Sequence, residues 1–152
     1  MNDGKGNVGM EHPVARFKEL FCRLNAENTE LGLLQVVYSP TVIFEDIFHR
    51  VEGLDALHAY FKNIYSNVLF CEFAFSNEWV AEGSAMLTWK MDFAHRRLNA
   101  GKLIEVEGAT HLRFDGKVFY HRDYLDGGAM LYEQIPLLGA AIRQIKKRMV
   151  TS

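Results

Sequence analysis

The stretch Tyr120-His121-Arg122-Asp123-Tyr124 puts a His, an Arg and an Asp where a β-strand is expected. Such residues are depleted in strands, so their presence asks for a reason. The preceding Phe114-Asp115-Gly116-Lys117 reads as a tight turn feeding that strand. Side chains alternate between the faces of a strand, so Phe119, His121 and Asp123 share one face. Val118, Tyr120, Arg122 and Tyr124 take the other. A carboxylate beside an imidazole is a pair suited to moving protons, provided it faces a cavity and not bulk water. The plainer alternative is structural: Asp123 accepts hydrogen bonds from buried groups, and His121 is a satisfied core histidine. A second constellation is Lys90-Met91-Asp92. Met86, Thr88, Lys90 and Asp92 share one face, and the more apolar Leu87, Trp89, Met91 and Phe93 share the other. An ordinary ion pair on a wet sheet face is the simple reading of Lys90 and Asp92. His12, His49, His58, His95 and His111 show no ligand spacing, so neither a metal site nor a cofactor is expected.

The elements that must position these residues follow from periodicity. Residues 1–11 are Gly-rich and polar and read as a flexible tail ahead of one domain, 12–152. Pro13 suits a helix start, and Phe17, Leu20, Phe21 and Leu24 repeat on one helical face. Asn28 suits the cap of a second helix carrying Leu31, Leu34 and Tyr38, ended by Ser39-Pro40. A short strand is predicted from Thr41 to about Phe48. Gly53 precedes a third helix with Leu54, Leu57, Phe61 and Ile64 on one side. From Val68 onward, four long strands are separated by Ala81-Glu82-Gly83-Ser84, Leu98-Asn99-Ala100-Gly101 and Asp115-Gly116, an antiparallel meander. On the third of these, Ile104, Val106, Gly108, Thr110, Leu112 and Phe114 form a nearly apolar row facing the interior. A last helix starts after Asp126, with Pro136 kinking or restarting it. Its apolar stripe, Ile135, Leu138, Ile142, Ile145 and Met149, is expected to pack against the fold. The fold class is α+β.

The chain has 152 residues, 49% hydrophobic and 24% charged, which fits one soluble globular domain and excludes wholesale disorder. A formal charge of −2 argues against nucleic-acid binding. Eleven Phe, six Tyr and two Trp must line a core or a cavity. Cys22 and Cys71 read as small core residues, not as a disulfide framework. No apolar leader or membrane span is seen, and a cytoplasmic location is expected.

The helix–helix–strand–helix–meander order, with Val42-Ile43-Phe44-Glu45-Asp46, Glu52-Gly53-Leu54 and Asp115-Gly116-Lys117-Val118 leading into Arg122-Asp123-Tyr124-Leu125-Asp126, resembles the NTF2-like, or SnoaL-like, superfamily. The likeness spans roughly residues 12–135. It implies a cone: a curved antiparallel sheet and helices around an apolar pocket, with Asp123 pointing in. The superfamily includes polyketide cyclases, limonene-epoxide hydrolase and ketosteroid isomerase, and its fold alone does not fix a function. By likeness to the epoxide hydrolases, Lys90, Asp92 and Asp123 would form a carboxylate–cation–carboxylate triad in which one acid gives and the other takes a proton. Phe44 and Asp46 stand where those enzymes hold the attacking water with Tyr and Asn. The cyclase relatives need mainly one buried Asp or His base, which Asp123 with His121 supplies.

These implications give a small apolar molecule, polycyclic or isoprenoid-like, as the expected partner. Asp123, His121, Asp92 and Lys90 are the candidate acid–base residues, and Phe44, Asp46, Val106, Thr110, Leu112 and Phe119 the candidate ligand contacts. Asp46 also suits a turn cap. A non-catalytic carrier and a dimeric interaction module are the alternatives. A homodimer through the outer sheet face is expected from Tyr120, Tyr124, Trp89 and Met91. Placing Trp89 and Met91 there would turn Lys90 and Asp92 into the pocket. In Arg143-Gln144-Ile145-Lys146-Lys147-Arg148-Met149, the cations suit a helix C-terminus. Contact of that helix with an anionic membrane surface is the lesser alternative.

Overall fold

The computed structural model describes residues 11–151. The expected tail lies almost wholly outside them. Helices α1 (Pro13–Arg23) and α2 (Leu31–Val37) lead into β1 (Tyr38–Glu45) and a short β2 (Arg50–Glu52). Helix α3 (Leu54–Tyr65) precedes the long strands β3 (Val68–Ala81), β4 (Ser84–His95), β5 (Ile104–Asp115) and β6 (Lys117–Leu125). Short α4 (Gly127–Met130) and α5 (Leu138–Val150) close the chain. The six strands form one mixed sheet in the order β2-β1-β6-β5-β4-β3. The meander is antiparallel, as expected, and its turns fall where the sequence placed them. Gly83 and Gly116 supply the positive φ that two of these turns require, at 72° and 67°.

Strand β1 runs parallel to β6, and their register shifts between Tyr38 and Ile43. Pro40 sits inside that gap, where no ladder donor is missed. The strand therefore begins at Tyr38 and ends at Glu45, earlier at both ends than expected. Tyr38 leaves α2 and joins the sheet. Residue Glu30, not Asn28, caps α2, while Asn28 Nδ2 donates to Arg23 O.

The helices cover the inner sheet face. Phe17, Leu20 and Phe21 of α1 and Leu54, Leu57 and Phe61 of α3 are buried against Tyr38, Phe44, Leu87, Leu112 and Val118. A second cluster joins Trp89, Met91 and Phe93 of β4 to Ile104 and Val106 of β5. So the apolar row of β4 faces inward, like that of β5. Placing each cluster of large side chains on the covered face removes the most apolar area from water.

Two further expectations give way. Cys22 is exposed on α1. The last helix is split: α4, a 3-10 turn over Tyr132–Gln134, then Pro136 and α5. Most of the α5 stripe stays in solvent, with Leu138, Ile145 and Met149 all exposed. Among the described residues, no helix is long and apolar enough to cross a membrane.

Candidate functional site

The site starts at the middle of β6. His121 is fully buried, and its ring is boxed by aromatic neighbours: Phe44 at 4.8 Å, Phe17 at 5.0 Å and Phe21 at 5.7 Å edge-on, with Tyr38 parallel at 6.0 Å. Its two nitrogens are both used. Nδ1 lies 2.8 Å from Tyr38 Oη, and Nε2 lies 2.8 Å from Asp123 Oδ1. Thr110 Oγ1, opposite Asp123 on β5, donates to the same Oδ1 at 2.5 Å. Trp89 Nε1, one strand further, donates to Thr110 Oγ1 at 2.8 Å.

The directions of these bonds follow from the groups themselves. Indole N–H can only donate, so the Thr110 hydroxyl accepts it and passes its own proton toward Asp123. With Asp123 ionised and His121 neutral, Nε2 carries the imidazole proton and Nδ1 accepts from Tyr38. Burial, followed by the nearby charge of Asp123, pushes the Tyr38 hydroxyl well above the ordinary phenol range, so it stays a donor. Two chains of hydrogen bonds thus converge on Oδ1 of one carboxylate. Among the described residues Oδ2 has no partner, and Asp123 lines a cavity of about 330 Å³.

That cavity is walled almost entirely by carbon. Phe44, Phe61, Phe73, Trp89, Met91 and Phe93 form much of it, with Leu125, Met130 and Leu131 toward α4. Its polar atoms are few and mostly committed. Asp46 Oδ1 accepts from the backbone N–H of Phe48 and His49 at 2.7 and 2.8 Å, and its Oδ2 accepts from Tyr60 Oη at 2.5 Å. Desolvation, then this bond, raises the Tyr60 hydroxyl far out of the titrating range. Burial pushes the Cys71 thiol up to about 12, partly opposed by its hydrogen bond with Tyr65. Tyr65 itself is raised well above 10, by burial first and then by Cys71 and Asp123. His95, also in the wall, is lowered by burial and by the charge of Arg97, so it is neutral at neutral pH.

The candidate residues divide cleanly. Asp123 and Phe44 line the cavity, and His121 stands directly behind Asp123. Asp46 lines the rim but is spent as a turn cap. Thr110, Val106 and Leu112 face inward and are buried, yet none reaches the cavity surface. Thr110 acts instead through Asp123. Lys90 and Asp92 are corrected: they lie on the outer face, where Lys90 pairs with Glu105 at 2.5 Å and with Asp92 at 3.8 Å. Parity forces this once Trp89 and Met91 point inward, so Trp89 and Met91 do not belong to an outer aromatic row. Phe119 is also corrected. A bulge pairs Arg113 with Tyr120 but Phe114 with Val118, so Phe119 is an unpaired extra residue. Val118 turns into the core in its place, and Phe119 packs under the Arg113 guanidinium at 5.3 Å.

Sequence reading missed Tyr38, Tyr60 and the inward Trp89. For Tyr38 the signal was thin, because Pro40 restricts only Ser39, the residue directly before it, to extended backbone.

The sequence profile of the SnoaL-like domain matches residues 17–121. Solved structures share the fold. A protein assigned as a SnoaL-like polyketide cyclase from Jannaschia sp. CCS1 is 17% identical, with a TM-score of 0.66 over 75% of this chain and 85% of that one. A protein of ketosteroid isomerase-like fold from Catenulispora acidiphila, in complex with trimethylamine, is 13% identical, with a TM-score of 0.67 over 81% and 91%. An LEH-like epoxide hydrolase from M. tuberculosis is 14% identical, with a TM-score of 0.61 over 78% and 79%. At these identities the likeness concerns the fold. No curated protein matches the chain.

Proposed function

Because the chain belongs to the SnoaL-like domain family, we propose that it binds a small apolar molecule, polycyclic or isoprenoid-like, in the inner cavity and moves a proton on it in an isomerase- or cyclase-type reaction. One observation carries this reading: Asp123 meets an apolar cavity with Oδ1 held by two donors and Oδ2 free. In that arrangement Oδ2 takes a proton from ligand carbon. Thr110 and His121 fix the carboxylate orientation, so little reorganisation accompanies the transfer. The apolar lining keeps competing water away from the reacting atoms. Epoxide hydrolysis fits less well, since Lys90 and Asp92 lie outside and Phe44 cannot hold a water.

The experiment has two stages. Native mass spectrometry of the purified protein should show a bound apolar molecule. That molecule, incubated in D2O with the protein, should take up deuterium at one carbon. Asp123→Asn keeps an acceptor for both Oδ1 donors, so it should retain binding and abolish uptake. Binding without any uptake by the parent protein would leave the carrier reading standing.

A homodimer through the outer sheet face is part of the same proposal. Tyr124, Trp79 and Met86 are exposed there, and an exposed apolar patch on a sheet is a common mark of an interface. Sedimentation should give about twice 17.4 kDa, and Trp79→Glu with Tyr124→Glu should return the monomer. A monomeric parent protein defeats this part alone.

A further inference from the structure

Seven of the exposed large apolar residues fall between Tyr132 and Val150. Helix α5 rests on the 3-10 turn before it through one side only. Gly139 is buried there, and a Cβ at that position would stand 2.3 Å from Glu133 O. Arg143 Nη1 donates to Glu133 O, and Lys146 pairs with the Glu133 carboxylate. Leu138, Ile142, Ile145 and Met149 lie within an arc of roughly 60° on a 3.6-residue helix, about 100° away from Gly139. Their stripe therefore lies to the side of the seated face, with Leu138, Ile145 and Met149 exposed and Ile142, nearest Gly139, half-buried. Ile145 is 59% exposed and Met149 83%.

The entry to the helix repeats the pattern. Leu137 has φ 68° and ψ −52°, and Leu138 N donates to Pro136 O at 2.8 Å. This is a γ-turn of the strained, positive-φ kind. It holds a leucine 87% exposed. A bulky residue in that conformation costs energy, and here the energy holds an apolar side chain in water.

Charge identifies what covers this face. Helix α5 carries Arg143, Lys146, Lys147 and Arg148 and no acid. With those four set aside, the rest of the chain has 13 basic and 19 acidic residues. Arg148 borders the apolar stripe at roughly 90° and Lys147 takes the far side of the helix, while Lys146 on the other margin is tied to Glu133. An apolar stripe on a helix whose polar face is basic and holds no acid matches a surface that is apolar in depth and anionic above. The acidic remainder of the chain is repelled by the same surface, which orients the protein. A second copy offers a poorer match, because acids of the outer sheet face such as Glu45 and Glu105 are already paired.

We propose that α5 is an interfacial helix by which this protein docks on anionic lipid membranes. Met130 and Leu131, which line the cavity, lie just ahead of α5. Docking therefore sets that wall of the cavity close to the bilayer.

Vesicle flotation with the full chain tests the proposal. At low ionic strength the protein should float with phosphatidylcholine vesicles containing about one-third phosphatidylserine, and not with phosphatidylcholine alone. Lys147→Ala with Arg148→Ala should lower the partition coefficient about 5-fold or more, since Arg148 borders the stripe while Lys147 lies across the helix from it. Ile145→Glu with Met149→Glu should abolish flotation and leave the circular dichroism unchanged, because both side chains are exposed. Absence of flotation by the parent protein overturns the proposal, as does flotation that neither variant reduces. If Ile145→Glu with Met149→Glu instead dissociates an oligomer that never floated, the stripe belongs to a second copy and the membrane is excluded.

Discussion

Gly108 shows how much of the site rests on single atoms. It pairs with Trp89 across β4 and β5, and a Cβ there would lie 2.4 Å from the indole and 2.8 Å from Tyr124 O. The indole crosses β5 only because position 108 has no side chain. Gly108→Ala should destabilise the fold by about 1–3 kcal/mol by overpacking, and Trp89 fluorescence should report the displaced ring. Thr110→Val tests the relay separately: it leaves the buried indole N–H unpaired and strips one donor from Asp123. A loss of roughly 1–3 kcal/mol is expected in denaturant titrations. Cys22 and Cys71 differ in the same local way. Cys22 is exposed, while burial holds the Cys71 thiol at about 12. One equivalent of thiol reagent should enter quickly at neutral pH and the second only on unfolding. The pairing of His121 with Asp123 was legible from strand alternation alone. Trp89 was not, because alternation fixes which residues share a face without saying which face is covered. Phe119 was lost for another reason: a bulge shifts parity by one, and it leaves no mark in a simple alternation count.

Among the elements, the strands and their turns were readable because Gly and Asp-Gly pairs mark them sharply. The α4–α5 region was not. Asp126 does cap a helix, with Oδ1 accepting from Ala129 N at 3.0 Å. That helix then stops after four residues, since Leu131 leaves helical geometry. Asp126→Ala should cost about 1 kcal/mol. The loss should show as faster amide exchange over 127–131, the segment that carries Met130 and Leu131 into the cavity wall. The stripe of α5 has the right period for a core helix, and periodicity cannot say whether its apolar side meets protein or something else. What decides is the buried Gly139, which seats the helix by a different side.

At the scale of the whole molecule, several protons are held more tightly by the folded chain than by the unfolded one. Cys71 moves from 9.0 to about 12, and Tyr38 and Tyr65 move well above 10. Groups raised in this way contribute stability that is full below pH 9 and is lost as pH climbs toward the folded value. Denaturant midpoints should stay flat up to about pH 9 and then fall, with Cys71→Ala removing the earliest part of the decline. The parallel pairing of β1 with β6 has a consequence of another kind. Tyr38 and His121 are 83 residues apart and meet in one hydrogen bond. Most of the chain must therefore have emerged from the ribosome before β1 finds its neighbour, and until then both β1 and β5 present unpaired edges. Closing so long a loop is slow compared with forming the β3–β4 hairpin. The acid relay is consequently expected to form late in folding, and until then the unpaired edges of the half-built sheet favour self-association.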